Sequence, residues 1–200
     1  MLRRQLTTAL LTTVALTVLL GLIFPLAVWA LGQTAFRNQA NGSFVSANGK
    51  VVGSSLIGQS FTDKDGNPDL RYFQPRPSAA GNGYDAMNSS SSNLGPSNPK
   101  LLDAVDQRVA AYRAAYHLGA NDPVPVDAVT ASGSGLDPGI SVANALIQAR
   151  TVATRRRLTV GDVTALVLSH TTDRQLGFLG EKAVNVLELN LALDQAAQAR

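Results

Sequence analysis

The chain has no cysteine, so disulfides, thiolate-bound metals and a thiol nucleophile are all excluded. A domain outside the cell would therefore rest on its core alone. Two catalytic signatures are missing as well. Without G-x-x-x-x-G-K-[ST] there is no autonomous phosphate-cradling loop, and without G-x-S-x-G there is no nucleophile elbow. Basic surplus is scarce too. The formal charge of +3 is supplied entirely by Arg3, Arg4 and Arg37, and from residue 38 onward 14 basic side chains face 14 acidic ones. That balance removes the electrostatic argument for a nucleic-acid partner. The one dense basic run, Arg155-Arg156-Arg157, reads as a solvated helix end.

Charge is absent altogether from residues 6–31, which form the longest apolar run. At ~1.5 Å per residue this run makes a helix of roughly 39 Å, enough to cross a ~30 Å hydrocarbon core. Its aliphatic side chains favour insertion by about 4–8 kcal/mol. Pro25 is compatible with a membrane helix, and Trp29 lies near the far end, where an indole suits the lipid–water interface. A cleaved signal is the rival, with Arg3 and Arg4 as its basic region and Ala30-Leu31-Gly32 as a cleavage site. The run exceeds the ~7–15 residues of a signal core, and no further element of a twin-arginine signal follows. Arg3, Arg4 and the amino terminus, set against Arg37 and Lys50, predict an inside amino terminus and an outside domain. Ala9, Thr13, Thr17 and Gly21 recur every four residues as a small-residue stripe along which a second membrane helix could pack.

The expected organisation is α+β: a short cytoplasmic segment 1–5, a transmembrane helix 6–31, a linker 32–49 and one extracytoplasmic domain 50–200. Strands are expected at residues 50–52 and 55–57, with a brief one at Tyr72-Phe73. Asp63, Asp65, Asn67 and Asp69 alternate as in half a calcium loop, but Pro68 and Gln74 stand where that loop needs Gly and Glu, so a plain turn is the reading. Residues 78–99 form a long polar loop. Asn98 then caps a helix with Pro99 at its first position and a stripe of Leu101, Leu102, Val105, Val109, Tyr112 and Tyr116. His117 falls in its last turn and Gly119 ends it. Ser141 caps the next helix, with Val142, Ala145, Leu146, Ala149 and Val152 inward. Thr159, with Asp162, caps a third over Val163, Leu166 and Val167. Asn185 with Glu188 starts the last, through Ala196.

No residues assemble into a catalytic constellation or a metal site. Ser97 and Lys100 match S-x-x-K at a helix start, the arrangement of serine acylases, but the accompanying S-D-N and K-T-G are missing. His170 reads as a structural hydrogen-bonder. The loop containing Ser132, Gly133, Ser134 and Gly135 precedes a helix and could cradle an anion through its amides, or form a tight turn.

Four stretches then point to a family: residues 72–79, residues 92–99, residues 129–138, and residues 176–181 with 184–187. Together with the single amino-terminal span they resemble the C subunit of bacterial Kdp-type potassium-transporting ATPases, over nearly the whole chain. Departures are local. Gly139 replaces a usual His, Lys182-Ala183 replaces a usual Pro-Arg, and residues 62–69 look inserted. The resemblance implies a non-catalytic subunit without a cofactor of its own, ATP and potassium being handled by the complex. Implied partners are an ATP-hydrolysing subunit, a channel-like potassium subunit and a small membrane subunit. The family is described as a catalytic chaperone that raises ATP affinity, with the Ser-Gly-Ser-Gly loop likened to a nucleotide-binding signature. An outside domain cannot reach cytoplasmic ATP, so stabilising the complex or shaping the outer potassium entrance is the preferred expectation. Arg76, Ser78, Asn93 and Asn98, in and around the long loop, are the expected partner contacts. An independent hydrolase using Ser97 and Lys100 is the alternative.

Overall fold

A computed structural model describes residues 1–198, so the last two residues of segment 50–200 lie outside the described residues. The chain divides into two compact units, Met1–Phe44 and Val45–Arg200.

In the first unit, α1 (Leu2–Val18), a π turn (Leu19–Ile23) and α2 (Phe24–Ala35) run on as one helix of 34 residues, long and apolar enough to cross a membrane. It extends past both ends of the expected span. Every side chain from residue 6 to 31 is exposed, as expected of a surface that faces lipid or another helix. The π turn has a local cause. Pro25 lacks an amide and its ring crowds the carbonyl four residues back, at Gly21, and one wider turn relieves that clash without breaking the helix. The helix stops at Phe36, whose φ of −133° is not helical, and α3 (Arg37–Ala40) follows. Gln33 and Asn41 exchange a reciprocal pair of amide hydrogen bonds, 3.3 and 3.1 Å, across this joint. Much of segment 32–49, read as a linker, is therefore regular structure.

β1 (Phe44–Ala47) and β2 (Lys50–Ser54) form a two-stranded sheet. Their turn is Asn48-Gly49, both at positive φ, which is the pairing that a two-residue hairpin favours. The strand expected at residues 55–57 is instead a turn. The Ser54 hydroxyl accepts from the Leu56 amide at 3.1 Å, taking a donor that a ladder would use.

The rest of the second unit comprises α4 (Pro99–Tyr116), α5 (Val126–Val129), β3 (Gly139–Ser141), α6 (Val142–Arg156), α7 (Val160–Ser169), β4 (Thr171–Thr172), β5 (Ala183–Asn185) and α8 (Val186–Gln198). β5 is central in an antiparallel sheet of order β3-β5-β4, with Ile140 opposite Val184 and Thr171 also opposite Val184. The fold is α+β. Phe73, Ile140, Ala149, Val163, Val167 and Leu193 anchor its core, each of the larger side chains worth about 1.5–3 kcal/mol on burial.

All four expected caps are present: Asn98 accepts from Lys100 N at 3.0 Å, Ser141 from Asn144 N at 3.1 Å, Thr159 from Asp162 N at 3.0 Å and Asn185 from Glu188 N at 3.1 Å. Two expected faces differ. Leu102 is 52% exposed while Tyr112 is the buried residue of α4, and α4 ends at His117, in the left-handed conformation, two residues before Gly119. On α6, Leu146 is 38% exposed, whereas the polar Asn144 and Gln148 are almost fully buried. The last helix reaches Gln198, two residues beyond Ala196.

Candidate functional site

A turn at residues 69–72, closed by the Tyr72 amide on Asp69 O at 2.9 Å, leads into residues 73–76, and the whole stretch crosses the domain as a strap outside any strand. Tyr72-Phe73 is not a strand, because the Tyr72 amide closes the turn and both backbone groups of Phe73 are bound by a side chain. Asn190 on α8 accepts from Phe73 N at 2.8 Å and donates to Phe73 O at 3.0 Å. Gln148 on α6 does the same for Gln74, at 2.7 and 3.1 Å. Two buried carboxamides thus replace a missing neighbouring strand. Arg156 closes the strap from outside. It pairs with Asp194 at 2.7 Å, donates to Arg71 O at 2.6 Å and lies 4.3 Å over the Tyr72 ring.

The Gln148 amide opens onto a network. Its Nε2 donates to Asn144 Oδ1 at 2.8 Å, which also accepts from the Tyr112 hydroxyl at 2.8 Å, and Tyr116 donates to Gln148 Oε1 at 3.3 Å. Asn144 donates onward to Asp127 at 3.0 Å, whose carboxylate also accepts the Ser141 amide and hydroxyl, at 2.7 and 2.8 Å. Burial pushes the Asp127 carboxyl up, but the hydrogen bonds from Asn144 and Ser141 outweigh it and hold the group below the ordinary carboxylate range. Burial pushes the Tyr112 and Tyr116 hydroxyls well up. Beside these tyrosines is a cavity of about 200 Å³, walled by Leu70, Pro75, Ala111 and Ala115.

Beyond the strap, two loops clasp each other. Arg76 pairs with Asp137 at 3.0 Å, and the Tyr84 hydroxyl donates to Arg76 O at 2.9 Å. Ser78 donates to Gly135 O at 2.6 Å and accepts from the amides of Ala80 and Tyr84. Ser134 O accepts from the Ser89 hydroxyl and the Ser90 amide, at 2.9 and 3.0 Å. Gly135 is required where it stands. Its φ is +68°, and a Cβ there would come within 2.5 Å of Ser90 O.

This geometry bears on the anion reading of Ser132, Gly133, Ser134 and Gly135. The Gly135 amide donates to Ser132 O and the Leu136 amide to the Ser134 hydroxyl. Strand β3 also separates the loop from α6, so it does not lead directly into a helix amino terminus as expected. Its visible role is a turn gripped by the long loop. Arg76 and Ser78 serve the same clasp, Asn93 sits at positive φ and accepts from Ser91 at 2.6 Å, and Asn98 caps α4.

The remaining candidates are scattered. Ser97 and Lys100 are both exposed and no hydrogen bond joins them. His170 Nδ1 lies 2.9 Å from Leu166 O, a structural contact. Asp63 accepts the amides of Asp65 and Asn67, each at 2.9 Å, and Asp69 grips Arg71, so the alternating acids form a turn. The connection from β4 to β5 holds Leu176 and Phe178 out at 83% and 70% exposure, between the ion pairs Arg174–Glu181 and Lys182–Asp173. On the first unit, Ala9, Thr13 and Thr17 lie on α1 and Gly21 in the π turn. A Cβ on Gly21 would stand 4.0 Å from Thr17 Cγ2, so the stripe continues into that turn.

The model of a family described as KdpC, K+-transporting ATPase, c chain, matches residues 6–195. The chain belongs to the KdpC family. Among relatives named potassium-transporting ATPase KdpC subunit, one from Mycobacterium bovis is 55% identical over 193 residues, covering 96% of this chain and 99% of its own. Another from Rhodospirillum rubrum is 52% identical over 192 residues, covering 96% of both chains. A third, from Koribacter versatilis, is 50% identical, covering 96% and 95%. Family membership extends over the apolar helix, the strap and the clasp together. Sequence reading of the motifs found the clasp loops but missed Asn144, Gln148 and Asn190. One signal was available for the first two: carboxamides four apart on a helix share a face, and here that face also carries Ala145 and Ala149.

Proposed function

We propose that the chain is a non-catalytic accessory subunit of an ATP-driven potassium uptake pump of the Kdp type. The observation that carries this reading is the family match over residues 6–195, which takes in both the apolar helix and the domain. The helix anchors the chain in the plasma membrane of a bacterium with its amino terminus inside, and the α+β domain stands outside. ATP and potassium are handled by the ATP-hydrolysing and channel-like subunits, and this chain holds the complex together or shapes the outer potassium entrance. Engagement of the Ser-Gly-Ser-Gly loop by Ser78, Ser89 and Ser90 favours a structural role over direct contact with nucleotide. The hydrolase alternative has little support, since Ser97 and Lys100 lack the mutual contact that would activate a nucleophile.

The test is co-expression of the pump subunits with and without this chain, extraction in mild detergent, and potassium-stimulated ATPase activity of the product. The chain should co-purify, and its omission should lower the yield of complex or raise the potassium needed for half-maximal activity. A fully active complex of normal yield without it would overturn the reading. Placement is tested on the same cells. Met87, 95% exposed in a chain without native cysteine, is the site for Met87→Cys. A membrane-impermeant maleimide should label it on intact cells. Labelling only after permeabilisation would put the domain inside.

A further inference from the structure

The carboxyl end of α4 and the outward face of α6 enclose two adjoining clefts of about 420 Å³ each, which share Tyr116, His117 and Arg150. One is lined by His117, Arg150 and Arg155 with the side chains of Thr151 and Thr154, and by no carboxylate. The other is walled by Leu118, Pro123, Leu146 and Ile147. Its one acid, Asp122, is engaged, accepting the Gly119 amide at 2.7 Å.

The arginines of this groove differ from the others of the domain. Arg71, Arg76, Arg156 and Arg174 are in ion pairs, and Arg108 and Arg113 donate to backbone carbonyls. Among the described residues, Arg150, Arg155 and Arg157 have neither kind of partner, and the first two line the groove. Unpaired cations at one end and an exposed leucine at the other make a surface with two separate demands. We infer that this groove takes a peptide segment of a neighbouring subunit that presents a carboxylate beside an apolar side chain.

Charge complementarity selects the acid. Neither guanidinium is in an ion pair, and the two carboxylates in the cleft on the other side of Arg155 are engaged, Asp63 by the Asp65 and Asn67 amides and Asp69 by Arg71, so a negative partner is favoured and a positive one repelled. Removal of Leu146 and its neighbours from water selects the apolar side chain. A free inorganic anion would leave the apolar end uncovered. The apolar cleft has room for one or two side chains and falls short of a pair of lipid acyl chains. This inference rests on the reading that the chain works within a pump complex.

The experiment places photo-reactive benzoylphenylalanine at Leu146 in the full chain, co-expressed with the pump subunits, and maps adducts by mass spectrometry. The expected adduct lies in another subunit, on a segment with Asp or Glu next to an apolar residue. R150E/R155E should lower its yield about tenfold without changing the thermal melt, because both side chains are exposed. The milder R150Q/R155Q should fall in between, which keeps the test sharp if charge reversal harms folding. Undiminished crosslinking in both variants, adducts to lipid alone, or a mapped segment without carboxylates would each overturn the inference. A chain that co-purifies normally yet gives no adduct overturns it while leaving the subunit reading intact. Failure of the unmodified chain to co-purify sinks that reading first.

Discussion

Asn190 and Gln148 each satisfy both backbone groups of one strap residue, the buried Phe73 and the half-buried Gln74, so their loss leaves more than a cavity. In Asn190→Ala the amide and carbonyl of Phe73 would be buried without partners, at about 1–3 kcal/mol each. The expected cost is about 2–5 kcal/mol, read from urea unfolding of the full chain in detergent. Gln148→Ala should cost a similar amount, while Ser91→Ala on the exposed loop should stay within ~0.5 kcal/mol. If Asn190→Ala unfolded at the same urea concentration as the unchanged chain, the strap would have to draw its stability elsewhere. These residues are hard to read in sequence because their polarity argues for the surface, and only a non-local partner justifies burying them. The caps Asn98, Ser141, Thr159 and Asn185 are easy, since each needs only the two or three residues that follow it.

Among elements the same division holds. Helices α6, α7 and α8 follow from local periodicity, yet β3 and β5 pair across more than 40 residues and are three residues long, too short to announce themselves. Apolar spacing predicts Leu102 on α4 and Leu146 on α6 to face inward, yet apolarity is not inwardness and both are exposed, at 52% and 38%. The long polar loop of residues 78–99 is held at its ends, by Ser78 on Gly135 and by the Asn98 cap, and it is held in its middle too. Shortening residues 89–92 would cut the ties of Ser89 and Ser90 to Ser134, so such a variant tests the clasp as much as any partner. The apolar helix offers a cleaner test. Gly21→Leu puts a large side chain on the stripe beside Thr17 and should reduce co-purification with the pump subunits, whereas Leu20→Ala should matter less. Equal recovery of the two would remove the stripe from the assembly.

At the scale of the whole molecule, the buried network gives the domain a stability profile limited at both ends of the pH range. Asp127 is held below its unfolded value of about 3.9, so its contribution is full above roughly pH 5 and is lost as pH falls through the folded value. Tyr84, Tyr112 and Tyr116 are pushed above their ordinary value of about 10, so their contribution is full below that pH and lost as pH rises beyond it. Melting temperature should be flat between about pH 5 and 9 and fall on either side. Asp127→Asn should lower the plateau and make the acid limb shallower, while Tyr112→Phe should flatten the alkaline limb. An acid limb of unchanged steepness in Asp127→Asn would assign acid unfolding to other carboxylates. Family membership was legible at this scale, from motifs that include the strap and both clasp loops, although the bonds those motifs make were not.

The π turn also sets the rotational phase of the long apolar helix. In an unbroken α-helix the line through Ala9, Thr13, Thr17 and Gly21 would continue through Pro25, Trp29 and Gln33. One wide turn advances the count by a residue, so the same ridge passes instead through Leu26, Ala30 and Thr34. The indole is thereby rotated off that line by about a quarter turn, since neighbouring residues on a helix are ~100° apart. Proline in this position acts as a phase shifter: it carries the line of Ala9, Thr13, Thr17 and Gly21 on to Ala30 and Thr34 by way of Leu26, and turns the indole aside.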